Sequence, residues 1–318
     1  MAIGHAFIEL QSVDSTNNYA MAQASEGRAP HGTLFFAYEQ WAGKGQRGRS
    51  WTSTPGENIV LSAVLEPLAL QPSQAFSLSV CVALACHDLF SRYAGPESTS
   101  IKWPNDLYWN DRKAGGILIE NHFQGDRWPL AIAGMGININ QVEFSAMARN
   151  PVSLRQITGR TFRAAELARE LGSFLDQRYS ALIGAGTANA TISADSANTR
   201  SASTSESAAI SADKANSSSA SASESATTNA DKAATRDNPT GGIISTRAAG
   251  SGAAIQLQEY NTLLYRRGQA VRLKKDNAVF ETVVQGVSAH GQLLTRDVMD
   301  REFSFGEVEW LIPESPRL

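Results

Sequence analysis

The sequence is poor in cysteine, has no excess of either charge and contains no long apolar run. Its two cysteines, Cys81 and Cys86, are too few for a disulfide framework or a four-ligand zinc site, and their apolar neighbours predict reduced core residues. Lys and Arg number 28 against 31 Asp and Glu, which argues against the broad basic surface of a typical nucleic-acid binder. No apolar stretch approaches the about eighteen residues of a membrane span, and the N-terminus does not resemble a signal sequence. We therefore expect a soluble, cytoplasmic protein without DNA or membrane partners, in which any anion site is local.

Aromatic residues are missing between Tyr179 and Tyr260, and 39 of the fifty residues 187–236 are Ala, Ser, Thr or Asn. Such a composition cannot bury enough apolar surface to offset the entropy lost on ordering. An imperfect eighteen-residue repeat runs through the segment. Eighteen residues make five helical turns, so a helical array is the alternative, but Ser, Thr and Asn are weak helix formers and there is no apolar stripe. The composition predicts a disordered insertion over residues 184–253.

The flanking residues predict two folded parts. Residues 1–183, completed by about 254–264, mix strands with amphipathic helices, which is typical of an α+β domain with a mixed sheet flanked by helices. Residues 265–318 contain short apolar stretches separated by Gly or Asp, which predicts a small β-barrel. The predicted strands of the first part are 33–38, 58–65, 98–103, 115–121 and 130–137, and its predicted helices are 16–25, 73–93 and 164–182. The predicted strands of the second part are 269–274, 279–287, 291–295 and 302–305.

The segment from Gln40 to Trp51 reads QWAGKGQRGRSW and follows a predicted strand directly. Glycine lets backbone N–H groups approach an anion closely, and Lys44, Arg47 and Arg49 add positive charge locally. The spacing matches neither a Walker loop nor the dinucleotide pattern. Residues 43–49, called the glycine-rich loop below, therefore suggest a phosphate-binding loop, with a mobile, solvated basic turn as the alternative.

Two lysines flank a predicted hairpin. Lys102 ends a strand in IKWPND, and Lys113 precedes the strand that begins KAGGILIE, with a turn through Asn110 and Asp111 between them. We therefore expect both lysines to lie near each other at one end of the sheet, close to Asp106. Two ammonium groups, a carboxylate and glycine backbone suit a metal-bound nucleoside triphosphate. A hairpin with salt-bridged lysines is the alternative.

Two further motifs are weak when taken alone. GMGININ at residues 134–140 leaves a strand with small residues and two amides, which suits packing against a purine. DSTN at residues 14–17 precedes a predicted helix, and helix capping is sufficient to explain it.

In their order and spacing, these motifs together resemble the catalytic domain of biotin protein ligases. The resemblance runs from Asp14 to Asn140, and the segment LYRRG with the ending GEV is similar to the SH3-like C-terminal domain of that family. It implies a class II aminoacyl-tRNA synthetase-like catalytic fold with a small SH3-like β-barrel. It also implies a reaction in two steps: biotin and ATP form biotinyl-5′-AMP and pyrophosphate, and the biotinyl group passes to one lysine of a biotin carboxyl carrier domain.

The resemblance assigns roles to motif residues. Lys113, Lys102 and Arg47 would neutralise phosphate and carboxylate charge, and Asp106 would bind Mg²⁺ through ATP, orient the reacting groups or act as base in the second step. The residues implied in biotin binding are Ser15, Thr16, Asn17, Gln40, Lys44, Gly45, Gln46 and Lys113. The residues implied in nucleotide binding are Gly43, Arg47, Gly48, Arg49, Trp51, Lys102, Asn105, Gly116, Gly136 and Asn138.

The sequence departs from the family in two respects. The family's loop commonly reads G-R-G-R-x-G-R, whereas Lys44 and Gln46 replace two of its arginines. The motifs begin at Ser15, so the resemblance predicts the monofunctional type without an N-terminal DNA-binding domain, as a monomer or weak homodimer. A lipoate–protein ligase and a non-catalytic binding paralogue remain as alternatives.

Overall fold

The computed structural model describes residues 1–145, 148, 150–201 and 251–312. The chain divides into two compact units, Met1–Ala190 with Ala249–Leu318, and Thr191–Ala248. The first unit contains both β-sheets. The described helices are α1 (Thr16–Ser25), α2 (Ala75–Ala94), α3 (Leu154–Thr158), α4 (Ala164–Ser201) and α5 (Ser251–Thr262). The described strands are β1 (Ala6–Val13), β2 (Thr33–Gln40), β3 (Ile59–Leu65), β4 (Thr99–Lys102), β5 (Asp106–Trp109), β6 (Arg112–Gln124), β7 (Arg127–Ile137), β8 (Ala270–Lys275), β9 (Ala278–Val287), β10 (Leu293–Arg296), β11 (Asp300–Phe303) and β12 (Glu309–Trp310).

The larger sheet has seven strands in the order β1-β2-β3-β7-β6-β5-β4. Strands β1 and β2 run parallel because α1 connects them, and all the other neighbours are antiparallel. Every residue of β3 is buried, which explains its almost continuous apolar sequence, IVLSAVL, since a strand covered on both faces needs no polar alternation. The mixed sheet predicted from the sequence is therefore confirmed.

Helices cover both faces of this sheet. Helix α2 supplies ten buried apolar residues to the main core. Burial raises the pKa of both Cys81 and Cys86, so these thiols stay protonated. The segment Pro72–Ala94 is long and apolar enough to cross a membrane, but 61% of its most apolar window is buried inside the protein, as in a core helix. On the opposite face, α1 packs against β3 and β7 around Ala20, Phe35 and Ile132.

The smaller sheet is antiparallel, with five strands in the order β11-β10-β9-β8-β12. Its fully or almost fully buried core residues are Leu273, Val284, Val287, Leu293 and Phe303. The indole of Trp103, at the end of β4, donates to the carbonyl of Gly291 at 2.9 Å. Trp310 of β12 packs on Tyr265, with 5.9 Å between ring centroids. The smaller sheet thus adjoins the strand that ends at Lys102.

An arginine ties together the helices that flank the insertion. Arg178 of α4 contacts Asp88 of α2 at 2.7 Å and Glu259 of α5 at 2.6 Å. Arg178 donates hydrogen bonds to both carboxylates, and these raise the pKa of its guanidinium, with the bonds to Asp88 having the largest effect. The hydrogen bonds from Arg178 also lower the pKa of Glu259. Gln256 of α5 also donates to the backbone carbonyl of Arg178 at 2.7 Å. This cluster joins α4 to α5 independently of residues 202–250.

Four elements, β1, β5, α3 and α5, were not predicted. Strand β1 is a half-exposed edge strand, β5 has only four residues and α3 only five. Residues 184–201, predicted to begin a disordered insertion, continue helix α4, and their many alanines favour a helix intrinsically. The remainder of the predicted insertion, residues 202–250, lies outside the described residues, and the predicted domain limits stay predictions.

Candidate functional site

The glycine-rich loop and the start of α1 enclose a cavity over the middle strands of the larger sheet. The cavity holds about 70 Å³, whereas ligand pockets usually hold roughly 300 Å³ or more. Because Lys44, Gly45 and Gln46 of the loop belong to its lining, a ligand of ordinary size has to displace the loop. The lining residues are Ser15, Thr16, Asn17, Gln40, Lys44, Gly45, Gln46, Trp51, Val60, Leu61, Asn105, Lys113, Gly116, Ile117, Leu118, Gly134, Met135 and Gly136.

Four oxygen atoms form a chain beside α1: Asn17 Oδ1, Ser62 Oγ, Thr16 Oγ1 and Gln40 Oε1. The successive separations are 2.7, 2.8 and 3.2 Å. Both amides have fixed orientations, because Asn17 Nδ2 donates to Glu120 at 2.8 Å and Gln40 Oε1 accepts from the backbone N–H of Thr16 at 2.8 Å. The two hydroxyl groups supply only two protons for three oxygen–oxygen contacts. Each hydroxyl donates one hydrogen bond within the chain, and its oxygen keeps a lone pair that can accept a hydrogen bond from a ligand N–H group.

Ser15 lies at the same end of the cavity. It is the N-cap residue of α1 and is 2% exposed, yet its side chain makes no capping hydrogen bond. Gln40, from β2, instead accepts the hydrogen bond of the Thr16 N–H. Helix capping therefore does not explain why a serine occurs at this position. Its position in the cavity lining provides an explanation.

Glu120 connects this polar cluster to the loop. Its Oε2 accepts the hydrogen bond of Asn17, and its Oε1 lies 3.4 Å from Lys44 Nζ. Glu120 is the last residue of the motif KAGGILIE, but no role was predicted for it. Ser62 was also missed, although a serine in the apolar strand IVLSAVL is a signal, because a buried polar side chain needs partners.

Three charged groups meet at the other end of the cavity. Asp106 Oδ1 lies 2.6 Å from Lys113 Nζ, and Asp106 Oδ2 lies 3.9 Å from Lys102 Nζ. The Lys102 ammonium also lies over the rings of Tyr108 and Trp310, at 5.4 and 5.3 Å from their centroids. Of these groups only Lys113 belongs to the described lining. The two lysines thus lie close to each other, as predicted, on either side of Asp106. Lys113 lines the cavity, whereas Lys102 lies outside the described lining.

Trp51 covers glycines of two paired strands. Gly116 of β6 pairs with Gly136 of β7, and a methyl group on Gly136 would lie 2.5 Å from Trp51 Cε2. Only glycine therefore permits the indole to lie against the strand at Gly136. The indole N–H is buried and has no hydrogen-bond partner within the described structure. The ring and the glycines form a flat, mostly apolar surface of the kind that suits a purine.

Some predicted site residues lie outside the described cavity lining. These are Gly43, Arg47, Gly48, Arg49, Lys102, Asp106 and Asn138. Arg47 Nη1 donates to the carbonyl of Gly306 in the smaller sheet's C-terminal segment at 3.1 Å. The amide of Asn138 donates to the carbonyls of Val152 at 3.1 Å and Lys113 at 3.3 Å, so it supports the backbone behind Lys113. Arg47 therefore does not belong to the described lining together with Lys113, and its catalytic role stays a prediction.

At this end of the cavity Asp106 is the one carboxylate among the described residues that could bind a metal ion. Among the described residues there is no group of three His, Cys, Asp or Glu side chains that could enclose an ion. Magnesium held mainly by substrate phosphates needs only one or two protein carboxylates, so Asp106 fits that arrangement. Tyr260 lies behind it, and burial, with a smaller effect from the charge of Asp106, raises the pKa of the Tyr260 hydroxyl. The phenol is therefore neutral and does not compete as an anion.

The comparisons with known proteins all find similarity to protein ligases. Residues 9–138 match the Biotin/lipoate A/B protein ligase family. The Bifunctional ligase/repressor BirA of Escherichia coli (strain K12) is 34% identical over 178 residues, which cover 54% of this chain and 54% of that protein. The Biotin--[acetyl-CoA-carboxylase] ligase of Paracoccus denitrificans is 36% identical over 159 residues, 47% of this chain and 63% of that protein. The match therefore spans only part of each curated relative.

A solved structure shares the fold over a longer stretch. The biotin protein ligase from Aquifex aeolicus, in complex with biotin and ATP, superposes with a TM-score of 0.64 and covers 97% of this chain and 100% of that chain. The sequence identity is 18%, so the likeness concerns the fold alone. It includes the region of the smaller antiparallel sheet, in agreement with the predicted C-terminal barrel.

Proposed function

Because residues 9–138 match the Biotin/lipoate A/B protein ligase family, we propose that the protein is an ATP-dependent biotin protein ligase. It would form biotinyl-5′-AMP and pyrophosphate from biotin and ATP, and then transfer the biotinyl group to a lysine of the biotin carboxyl carrier domain of a biotin-dependent carboxylase. The observation that carries the choice of biotin is the oxygen chain of Thr16, Asn17, Gln40 and Ser62, which offers acceptors to a ligand N–H group.

Biotin can donate hydrogen bonds to this oxygen chain. Its ureido group has two N–H donors and one carbonyl acceptor, whereas the dithiolane ring of lipoate has neither N–H nor carbonyl. A hydrogen bond contributes about 0.5–1.5 kcal/mol net, so the oxygen chain favours a ring that donates. The adjacent lining residues Val60, Leu61 and Met135 would contact the apolar part of the ring system. The names of the curated relatives support the same choice.

The first step would take place beside Lys113. The biotin carboxylate is already a nucleophile, so adenylation needs alignment, charge neutralisation and exclusion of water rather than covalent help. Lys113 lies in the lining and would move its ammonium from Asp106 to the carboxylate and the α-phosphate, which otherwise repel each other. Mg²⁺ bound to the triphosphate would supply further neutralising charge. Asp106, released from Lys113, would then be available to the metal while Lys102 continues to balance it.

The nucleotide base would lie on Trp51 and Gly136, and the glycine-rich loop would close over the phosphates. Loop closure serves both steps, because a mixed anhydride in contact with water hydrolyses before it meets the acceptor amine. Among the loop cations, Lys44 is connected to the oxygen chain, because its ammonium contacts Glu120, which accepts a hydrogen bond from Asn17. Arg47 and Arg49 would reach the phosphates only after a rearrangement of the loop. We further propose a cytoplasmic location, where carboxylases and ATP are found.

The proposal is tested by incubating the full chain with biotin, Mg-ATP and an isolated biotin carboxyl carrier domain, and measuring the intact mass of the carrier. We expect the mass to rise by one biotinyl group, and the rise to require ATP and the acceptor lysine. Biotin-dependent exchange of pyrophosphate into ATP tests the first step separately. Exchange supported by lipoate but not biotin would assign the chain to lipoate ligation. Absence of exchange with either acid, together with no thermal shift with biotin plus ATP, would identify a non-catalytic paralogue.

A further inference from the structure

A second cavity lies next to the first and has no role in the reaction described so far. It holds about 270 Å³, nearly four times the volume of the first. Its walls come from the start of α2, the turn between β4 and β5, strand β6 and two segments of the smaller sheet. The side chains that determine its character are Phe76, Pro104, Ile117, Ile119, His290 and Phe305.

The two cavities share Gln46, Asn105 and Ile117. Two of these residues form a rigid partition, because Asn105 Nδ2 donates to the carbonyl of Ile117 at 2.7 Å and the N–H of Ile117 donates to the carbonyl of Asn105 at 2.9 Å. Gln46 belongs to the glycine-rich loop, and within the described structure its side chain has no hydrogen bond that fixes it. Gln46 is therefore the movable part of the partition.

The lining chemistry suits an alkyl amine. Phe76, Pro104, Ile117 and Ile119 offer apolar surface for a hydrocarbon stem, and Asn105 and Gln46 offer neutral amides at the inner end. The described lining contains no carboxylate, and its one titratable side chain is His290, which is exposed at the mouth. Transfer of an ammonium ion into such a space has no compensating charge. An amine that has lost its proton enters more easily, and only the neutral amine is a nucleophile.

We propose that the second cavity admits the acceptor lysine side chain of the carrier domain, with Gln46 as the movable residue between it and the adenylate. The inference rests on the proposed function. The lysine nitrogen forms a bond to the biotinyl carbonyl carbon, the bond from that carbon to the phosphate oxygen breaks, and AMP leaves with the electron pair. The nitrogen loses its remaining extra proton to solvent or to the departing phosphate.

The departure from the family's loop pattern at Gln46 agrees with this route. The family commonly has an arginine at this position, and a fixed positive charge at the partition would repel an amine that still carries its proton. A neutral amide removes that repulsion and can accept a hydrogen bond from the incoming N–H. The position of Gln46 between the two cavities thus gives its neutral side chain a function in the second step.

The route is tested by filling the second cavity from two sides. Asn121→Trp on β6 and Ser79→Trp on α2 place an indole in the lining. His122→Trp is the matched control, since the neighbouring residue on β6 faces the opposite side of the strand, is also exposed and is in neither described lining. Three rates are measured for each variant: biotin-dependent pyrophosphate exchange, single-turnover transfer from enzyme-bound adenylate to the carrier, and cleavage of the same adenylate by hydroxylamine.

We expect both cavity variants to slow transfer to the carrier at least tenfold, while exchange and hydroxylamine cleavage stay within twofold of the unaltered protein. The control should retain all three rates. Unchanged transfer in both cavity variants would overturn the proposal, and so would an equal loss of exchange, which would assign the cavity to the first step. Absence of exchange in the unaltered protein would instead remove the proposed function itself, so the two failures are distinguishable.

Discussion

Two glycines on β7 allow the two halves of the first cavity to be perturbed separately. Gly134 and Gly136 are two residues apart and therefore face the same side of the strand. A methyl group on Gly134 would overlap Asn17 Oδ1 and lie 3.0 Å from its Cγ, whereas one on Gly136 would lie 2.5, 2.7 and 2.9 Å from Cε2, Cζ2 and Nε1 of Trp51. The same substitution, glycine to alanine, therefore perturbs the oxygen chain at Gly134 and the indole surface at Gly136.

The size of each effect follows from the overlap. Carbon atoms in contact are normally about 3.5–4.0 Å apart, so either neighbour has to move by about 1 Å. Overpacking of this kind costs roughly 1–3 kcal/mol, and each 1.4 kcal/mol corresponds to a tenfold change in affinity. We expect Gly134→Ala to raise the KM for biotin roughly five- to 150-fold and Gly136→Ala to raise the KM for ATP by a similar factor. The other KM should change by less than about threefold in each case.

Pyrophosphate exchange at varied biotin and varied ATP measures the two constants independently. Gly184→Ala on α4 is the neutral control, because among the described residues, apart from its own helix turn, nothing lies within 4 Å of the added methyl group. Gly115→Ala is the control for general damage, because its methyl group would lie 2.8 Å from the carbonyl of Gly136 on the strand backbone; it should lower the melting temperature without separating the two constants. If Gly134→Ala and Gly136→Ala each raised both constants equally, the division of the cavity into a biotin half and a nucleotide half would be wrong.

Three further outcomes are expected. Asp106→Ala should slow both half-reactions, since it leaves two lysines without their shared carboxylate, and normal single-turnover transfer from preformed adenylate would remove Asp106 from the second step. Replacement of residues 187–250 by a short Gly/Ser linker should preserve exchange and melting temperature because Arg178 already joins the flanking helices, and a large loss of activity would contradict this. The pKa of Glu259 is lowered from its ordinary value of 4.5 by its hydrogen bonds from Arg178, so its stabilising effect is complete above pH 4.5 and is lost as the pH falls through the lowered value. The melting temperatures of the unaltered protein and Glu259→Gln, measured from pH 7 to pH 3, should therefore converge at low pH, and a constant difference would show that the charge of Glu259 does not stabilise the fold.

Much of the fold was predictable because the central elements carry strong local signals. Every residue of strand β3 and eleven of the twenty residues of helix α2 are buried, so their apolar runs identified them directly. Strand β1 gave no such signal: it pairs on one side only, its burial follows no strict alternation, and Ile8 is 39% exposed. Its place in the sheet depends on parallel pairing with β2 across a helix, which is a long-range contact that periodicity cannot reveal.

The candidate site was predictable as a set of motifs but not as a geometry. Ser62 and Glu120 are not adjacent in sequence to the residues they hold, and only the pairing of strands brings them to Asn17. The second cavity has no motif at all, because Phe76, His290 and Phe305 come from three separate elements. Sequence spacing indicates which side chains share one turn or one strand end. A cavity wall formed by two sheets can be predicted only when the placement of one sheet relative to the other is known.

Motif membership also does not distinguish the residues that line the cavity from the residues that hold the lining residues in place. Lys113 and Lys102 occupy equivalent positions in the sequence argument, yet their side chains are 30% and 11% exposed, and only the former belongs to the described lining. In the proposed reaction Lys113 would turn from Asp106 to the substrate, and the partly buried Asp106 carboxylate would then need another balancing charge. Lys102, held between Tyr108 and Trp310, would remain beside Asp106. The second lysine of the motif would therefore stabilise the charge that the first one leaves behind, without any contact with the nucleotide.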